Sequence, residues 1–286
     1  MDTPFHRITI IGVGLIGGSW GLALKKRGFR SKITGCDRAS VLERARALGA
    51  IDDGEESPAR AVSESDLVIV ATPVGAVLDL LPVLKRAVPP RALITDTGST
   101  KQMICRRAQE ALGSEPRFLG GHPMAGKERS GIEQAGANLF EGATYALTPL
   151  SDQDLNDARL RTFSALVQAV GARPLVVEAA AHDRAVAFLS HLPQLVATGL
   201  AGLIVERADF LPLELSAAGL FDMTRLAESP YAVWRDICLT NTGDIQAALD
   251  ALIEKLEDMK VHLSDRELEH DFRQARALRD KLGRAR

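Results

Sequence analysis

Short apolar runs alternate with amphipathic stretches up to about residue 178, and the alternation then stops. Short, largely apolar runs at 8–11, 32–36, 67–71, 93–95, 117–119, 145–148 and 175–177 predict strands. Between them the spacing predicts helices over 19–26, 76–88, 101–112 and 152–170. Strand–helix alternation of this kind builds a doubly wound parallel sheet of the α/β class. Beyond Ala179 the period changes. Val186, Leu189, Val196, Leu200 and Leu203 suit one long helix, and Ile245, Leu249, Leu252, Leu256, Met259 and Leu263 trace one face of another. We therefore expect a sheet domain over 1–178 and an all-helical domain over 179–286. So much apolar helix suggests that some of it is buried by a second subunit and not by the monomer alone. The stretch 265–286 mixes acids with arginines and reads as a solvated helix.

The first strand carries the most specific chemistry. Ile8-Thr9-Ile10-Ile11 runs into Gly12-Val13-Gly14-Leu15-Ile16-Gly17, a helix closed by Gly28 follows, and Asp37 ends the next strand 20 residues after Gly17. This is the dinucleotide-binding fingerprint of a Rossmann-type sheet. Gly12 makes the tight turn, Gly14 lets the backbone approach a pyrophosphate, and Gly17 lets the helix pack on the sheet. The free N–H groups at the head of that helix, from Leu15 and Ile16 onward, then face the phosphates. Asp37 can accept hydrogen bonds from a ribose diol and would repel a 2′-phosphate, which favours NAD over NADP; Arg38 beside it softens the discrimination.

Composition narrows the partners. Charged residues make up 25% and the net charge is −2, so there is no electrostatic case for nucleic acid or an anionic membrane. Cys36, Cys105 and Cys238 are scattered, with no disulfide framework and no metal-ligand spacing, so no metal is expected and a reducing cytoplasm is the simplest compartment. Met1-Asp2-Thr3-Pro4 runs straight into the first strand, so no charged and apolar leader is expected. Residues 185–205 lack any Lys, Arg, Asp or Glu, close to the ~20 residues that span a bilayer. Ser190, His191, Pro193 and Gln194 within it argue instead for a helix buried in the protein or between subunits.

In an open parallel sheet, ligands sit beyond the carboxyl ends of the strands. Thr72-Pro73-Val74 follows one strand and is expected to line the cofactor. Asp96-Thr97-Gly98-Ser99-Thr100-Lys101 follows the next and offers a hydroxyl and an ammonium, although Ser99 is equally suited to capping a helix. Gly120-Gly121-His122-Pro123-Met124-Ala125-Gly126 follows the third. Two glycines bring the backbone of His122 close to the cofactor, and an imidazole suits proton transfer near neutrality. His6, His262 and His270 have no such setting.

Gly121-His122-Pro123-Met124-Ala125-Gly126-Lys127-Glu128, the Asp96–Lys101 segment, His182-Asp183, Ser190-His191-Leu192-Pro193, Asp222-Met223-Thr224-Arg225 and Trp234-Arg235-Asp236-Ile237 occur in one order. In these motifs the chain resembles the prephenate and arogenate dehydrogenases, from Ile8 to about Lys260. The resemblance implies oxidative decarboxylation of a cyclohexadienol with hydride transfer to a nicotinamide. It implies that His122 polarises or deprotonates the ring hydroxyl with help from Ser99, and that Arg225 clamps a substrate carboxylate. Lys101, Glu128, Ser190, Gln194 and Trp234 are implied for the pocket wall, in a cleft between the two domains. Many prephenate-using relatives have histidine where Gln194 stands; the resemblance favours prephenate, with arogenate the alternative. It also leads us to expect no regulatory domain after the helices and no mutase domain before Ile8.

Overall fold

In the computed structural model, residues 5–115, 117–127, 129–151, 154, 156–264 and 266–284 are described. The sheet part contains β1 (Arg7–Ile11), α1 (Leu15–Lys26), β2 (Lys32–Cys36), α2 (Ala39–Ala47), β3 (Asp53–Glu55), α3 (Pro58–Ala61), β4 (Leu67–Val70), α4 (Val74–Ala87), β5 (Leu93–Asp96), α5 (Gln102–Leu112), β6 (Arg117–Pro123), β7 (Thr144–Pro149), α6 (Ala158–Ala169) and β8 (Arg173–Val176). The strands form one sheet in the order β3-β2-β1-β4-β5-β6-β7-β8. Every residue of β4 and β5 is buried, because helices cover both faces. Trp20, Phe140, Tyr145 and Phe163 fill the core on one face, and Val68, Val77, Leu81 and Ile104 fill the other.

Two expectations are corrected. The sheet is not parallel throughout, since β7 runs antiparallel to β6 and β8 follows β7. A parallel pair needs a crossover that carries the chain back over the sheet, and among the described residues the link between β6 and β7 holds only the short 3₁₀ turn Ile132–Gln134. The chain therefore doubles back. Secondly, β6 does not stop at Leu119 but continues through Gly120, Gly121 and His122 to Pro123, with His122 paired to Ala146. Here the glycines do not end a strand. A Cβ on Gly120 would lie 2.0 Å from Thr148 Oγ1 and one on Gly121 would lie 2.6 Å from the Asp96 carbonyl oxygen. Close packing, not turn formation, requires them. The short polar strand β3, which no apolar run announces, is one of the two sheet edges, opposite β8.

Among the described residues no strand follows β8. Glu178 starts the helical part by accepting the N–H groups of Ala180 and Ala181, at 2.8 and 2.9 Å. α7 (Ala179–Val186) runs through a π-turn at Ala187–His191 into α8 (Leu192–Glu206), and α9 (Ala218–Thr224), α10 (Tyr231–Thr240), α11 (Thr242–Val261) and α12 (Leu268–Arg284) follow. The run Ala179–Glu206 is long and apolar enough to cross a membrane by length and composition, and only 17% of its most apolar window is buried in the monomer. Burial within the chain's own helical part, one of the two expectations for this segment, is thus corrected. The core there is small, built on Ala187, Ile237, Ile245 and Ala248. Leu189, Leu203, Val205, Phe210 and Leu215 are left exposed.

Candidate active site

The parallel strand order reverses direction of growth between β1 and β4, which opens a crevice at their carboxyl ends. Gly12 turns there with φ +86°, and a Cβ on it would strike the Ala71 carbonyl oxygen at 2.6 Å. Gly17 backs onto the Gly12 carbonyl, where a Cβ would sit at 2.0 Å. Gly14 instead faces open space, and no side chain caps the head of α1, so the first-turn N–H groups remain available to an anion. Asp37 accepts from Val13 N at 2.9 Å through Oδ2 and from Arg38 N at 2.8 Å through Oδ1, which fixes its carboxylate against the turn. The adjoining cavity of about 430 Å³ is lined by Gly12, Asp37, Arg38, Thr72 and Leu80. Thr72 Oγ1 is buried with no partner among the described residues. An open glycine, uncapped N–H groups and an orphaned hydroxyl fit a dinucleotide.

At the end of β6, His122 is 8% exposed, and its Nδ1 lies 2.9 Å from Nε2 of His182 on α7. Nδ1 of His182 in turn lies 2.7 Å from Oδ1 of Asp183. Asp183 also accepts the backbone N–H groups of Lys101 and Gln102, at 2.7 and 2.9 Å, and so caps α5 from the helical part. Behind His122, Lys101 and Asp96 form an ion pair that is 0% exposed on both sides. Asp96 further accepts from Gly98 N at 2.7 Å and from Gly121 N at 3.1 Å, pinning the residue before His122. Burial, and then the neighbouring His182, Lys101 and His191, hold His122 well below the ordinary imidazole value.

A pH prediction follows from that direction. A base works unprotonated, and a depressed pKa keeps it so to lower pH. The acid limb of kcat/KM due to this group should therefore fall below pH 6.5, the ordinary value, with a plateau across neutrality. A rate profile measured from pH 5 to 9 checks this; an acid limb centred at or above 6.5 contradicts it.

From the helical side, His191 sits edge-on to Trp234 at 5.9 Å, and burial is the main reason that its pKa falls to about 4. Asn241 links it to the core, lying 3.3 Å from His191 Nδ1 and donating to the Asp183 carbonyl at 2.9 Å. Trp234 Nε1 donates to Ser229 Oγ at 2.8 Å. Arg225 is exposed, at the start of the 3₁₀ turn Arg225–Glu228. Ser190 and Ser99 are half-buried.

The expected wall residues do not all stand on the wall. Lys101 is fully withdrawn and its ammonium is committed to Asp96, so it supports the site from behind. Gln194 is 5% exposed, and its amide donates to Leu226 O at 2.9 Å and to Thr198 Oγ1 at 3.2 Å, which ties α8 to the turn carrying Arg225. Ser99 makes no hydrogen bond to His122 among the described residues; the imidazole is held instead through Nδ1 by His182. Glu128 lies outside the described residues. One connection had no sequence signal: Asp236 on α10 accepts from Gly75 N at 2.8 Å and so holds the helical part against the head of α4, beside Pro73.

A dinucleotide cradle and a buried histidine at one end of a Rossmann-type sheet, faced by a helical domain, define a dinucleotide-dependent dehydrogenase. Residues 20–176 match the family model described as the prephenate dehydrogenase nucleotide-binding domain, and residues 178–277 match the prephenate dehydrogenase dimerization domain. The chain belongs to the prephenate dehydrogenase family. It is 36% identical to the prephenate dehydrogenase of Bacillus subtilis, over 98% of this chain and 76% of that protein. It is 32% identical to the cyclohexadienyl dehydrogenase of Zymomonas mobilis, over 94% of this chain and 93% of that one. The prephenate dehydrogenase of Aquifex aeolicus, solved with hydroxyphenyl propionate and NAD+, superposes with a TM-score of 0.90 at 29% identity, covering 99% of this chain and 100% of that one.

Proposed function

We propose that this chain catalyses the NAD-dependent oxidative decarboxylation of prephenate to 4-hydroxyphenylpyruvate, a step in tyrosine biosynthesis. The observation that carries the reading is the imidazole of His122, buried at the end of β6 and hydrogen-bonded to His182, in a chain whose first crossover is shaped for a dinucleotide. Residues 1–178 hold the cofactor: Gly12, Gly14 and Gly17 make room for the pyrophosphate, the head of α1 at Leu15 and Ile16 meets its charge, Asp37 and Arg38 meet the ribose, and Thr72 and Pro73 flank the nicotinamide. When bound, the nicotinamide accepts the hydride from the ring carbon bearing the 4-hydroxyl.

The protein's own work is to orient the ring and take one proton. His122 accepts the hydroxyl proton as the hydride leaves, a contribution of ~10²–10⁴-fold, and holds it until the ring oxygen takes it back. Ser99 fixes the hydroxyl, and Arg225 holds a substrate carboxylate in a bidentate fork. Ser190 and Trp234 complete the helical wall. The ring carboxylate then leaves as carbon dioxide, its bonding electrons pass through the ring to the oxygen that lost the proton, and that oxygen regains a proton from His122 as the phenol; aromatisation drives the reaction forward. Residues 179–286 bind substrate and pair two chains as a homodimer; the matched dimerization domain and the exposed Leu189, Leu203, Val205 and Phe210 support that pairing. A small-molecule biosynthetic role of this kind places the protein in the cytoplasm.

Arogenate is the competing substrate, because many prephenate-using relatives resemble this chain but have histidine where Gln194 stands. Product analysis tests the reading: prephenate and NAD should give 4-hydroxyphenylpyruvate, carbon dioxide and NADH in equal amounts. Hydride transfer without carbon dioxide release contradicts it. Asp37→Ala should lower the NAD-to-NADP ratio of kcat/KM by about tenfold or more, the worth of a charge-assisted hydrogen bond. An unchanged ratio would assign the ribose to another residue.

A further inference from the structure

His182 and Asp183 touch neither cofactor nor substrate in the scheme above, yet both are buried and joined in series to His122. The Asp183 carboxylate takes N–H groups from Lys101 and Gln102, and a carboxylate offers only acceptors. The nitrogen of His182 that faces it at 2.7 Å, Nδ1, therefore carries the proton. In a neutral ring, Nε2 of His182 is then an acceptor. Its 2.9 Å contact with His122 must be a hydrogen bond donated by His122 Nδ1–H. One nitrogen of His122 remains, and it holds the lone pair. We propose that His182 and Asp183 are positioning residues that lock His122 in the tautomer with a bare Nε2, ready to receive the substrate proton.

The wiring also meets the electrostatic problem of the step. Once protonated, His122 is a buried cation with Lys101 behind it and two further imidazoles, His182 and His191, beside it. The Lys101 ammonium is already neutralised by Asp96. Asp183 is the anion at the far end of the row, fixed by the head of α5, and the His122 to His182 hydrogen bond becomes charge-assisted as the proton arrives. Neither residue's identity predicts this, since His182 lies 60 positions from His122.

The inference rests on His122 being the base, and the test separates the two claims. His182→Leu removes the acceptor, whereas His182→Gln places an amide oxygen near the position of Nε2. In the full chain, His182→Leu should lower kcat about 10²-fold with KM little changed, the size expected for a misplaced catalytic group. His182→Gln should recover most of the loss, and in a His122→Asn background His182→Leu should cost nothing further. Equal losses for Leu and Gln, or an undiminished effect in the His122→Asn background, would overturn the positioning role while leaving the base assignment standing. An active His122→Asn would remove both. A two-bond ¹H–¹⁵N spectrum of the unsubstituted protein at neutral pH reads the tautomer without any variant: the unprotonated nitrogen of His122 should be Nε2, and a bare Nδ1 would refute the lock.

Discussion

His122→Asn should lower kcat by about 10²–10⁴-fold while KM for substrate changes little, because the imidazole is asked to act only as the proton leaves the hydroxyl. Asparagine is smaller than histidine and polar, so the end of β6 should tolerate it. The strand itself is held by backbone pairing to β7 and by the Asp96 contact to Gly121 N, neither of which involves the imidazole. Thermal unfolding of the variant should therefore stay close to that of the parent. Steady-state kinetics with saturating NAD measures the effect. A variant that keeps its kcat shows that another group takes the proton, and one that loses only apparent affinity shows that His122 merely binds.

Asp96→Ala is expected to have the largest effect on stability. It strips the counter-ion from the fully buried Lys101 ammonium and leaves the N–H groups of Gly98 and Gly121 without their acceptor. Breaking a buried pair by removing one partner costs about 3–5 kcal/mol, because the remaining charge is uncompensated. For a chain of this length that is a fall in Tm on the order of 10 °C. Activity should fall as well, since Gly121 is the residue before His122 and loses its anchor. Calorimetry of Asp96→Ala beside the double variant Asp96→Leu/Lys101→Met separates the causes: with both charges gone, much of the loss should be recovered. A single variant as stable as the parent would mean that Lys101 finds water or another anion.

The contrast between these two sites shows what a sequence can and cannot disclose. The dinucleotide cradle was legible because its parts are local: a strand, three glycines, a helix head and an acid at the next strand end all fall within 8–37. Its physics is backbone geometry, and glycine spacing records backbone geometry directly. The position of His122 was legible for a similar reason, although the glycines beside it were read as the end of a strand. They lie inside the ladder, where the Asp96 carbonyl and Thr148 leave no room for a Cβ. No local pattern distinguishes a glycine that turns the chain from one that admits a neighbour.

Long-range pairs were not legible at all. His182 meets His122 across 60 residues and Asp236 meets Gly75 N across 161, and nothing local to either end names its partner. Lys101 looked like a pocket cation because it follows a strand at the ligand edge; the fold turned it inward onto Asp96, five residues earlier. Gln194 likewise turned out to hold the turn at Leu226. In both cases burial decided the role, and burial depends on the packing of elements far apart in the chain. The reversal at β7 has the same origin, because strand direction depends on the connection and not on the apolar run.

The most direct test of the account is the initial rate of reduced-nicotinamide formation at about 340 nm, with prephenate and arogenate each offered with NAD and with NADP. The account predicts turnover with NAD, a higher kcat/KM for prephenate than for arogenate, and a lower value for NADP with either substrate. Silence in all four mixtures from folded protein would contradict the assignment of His122 and of the cradle at Gly12 to this reaction.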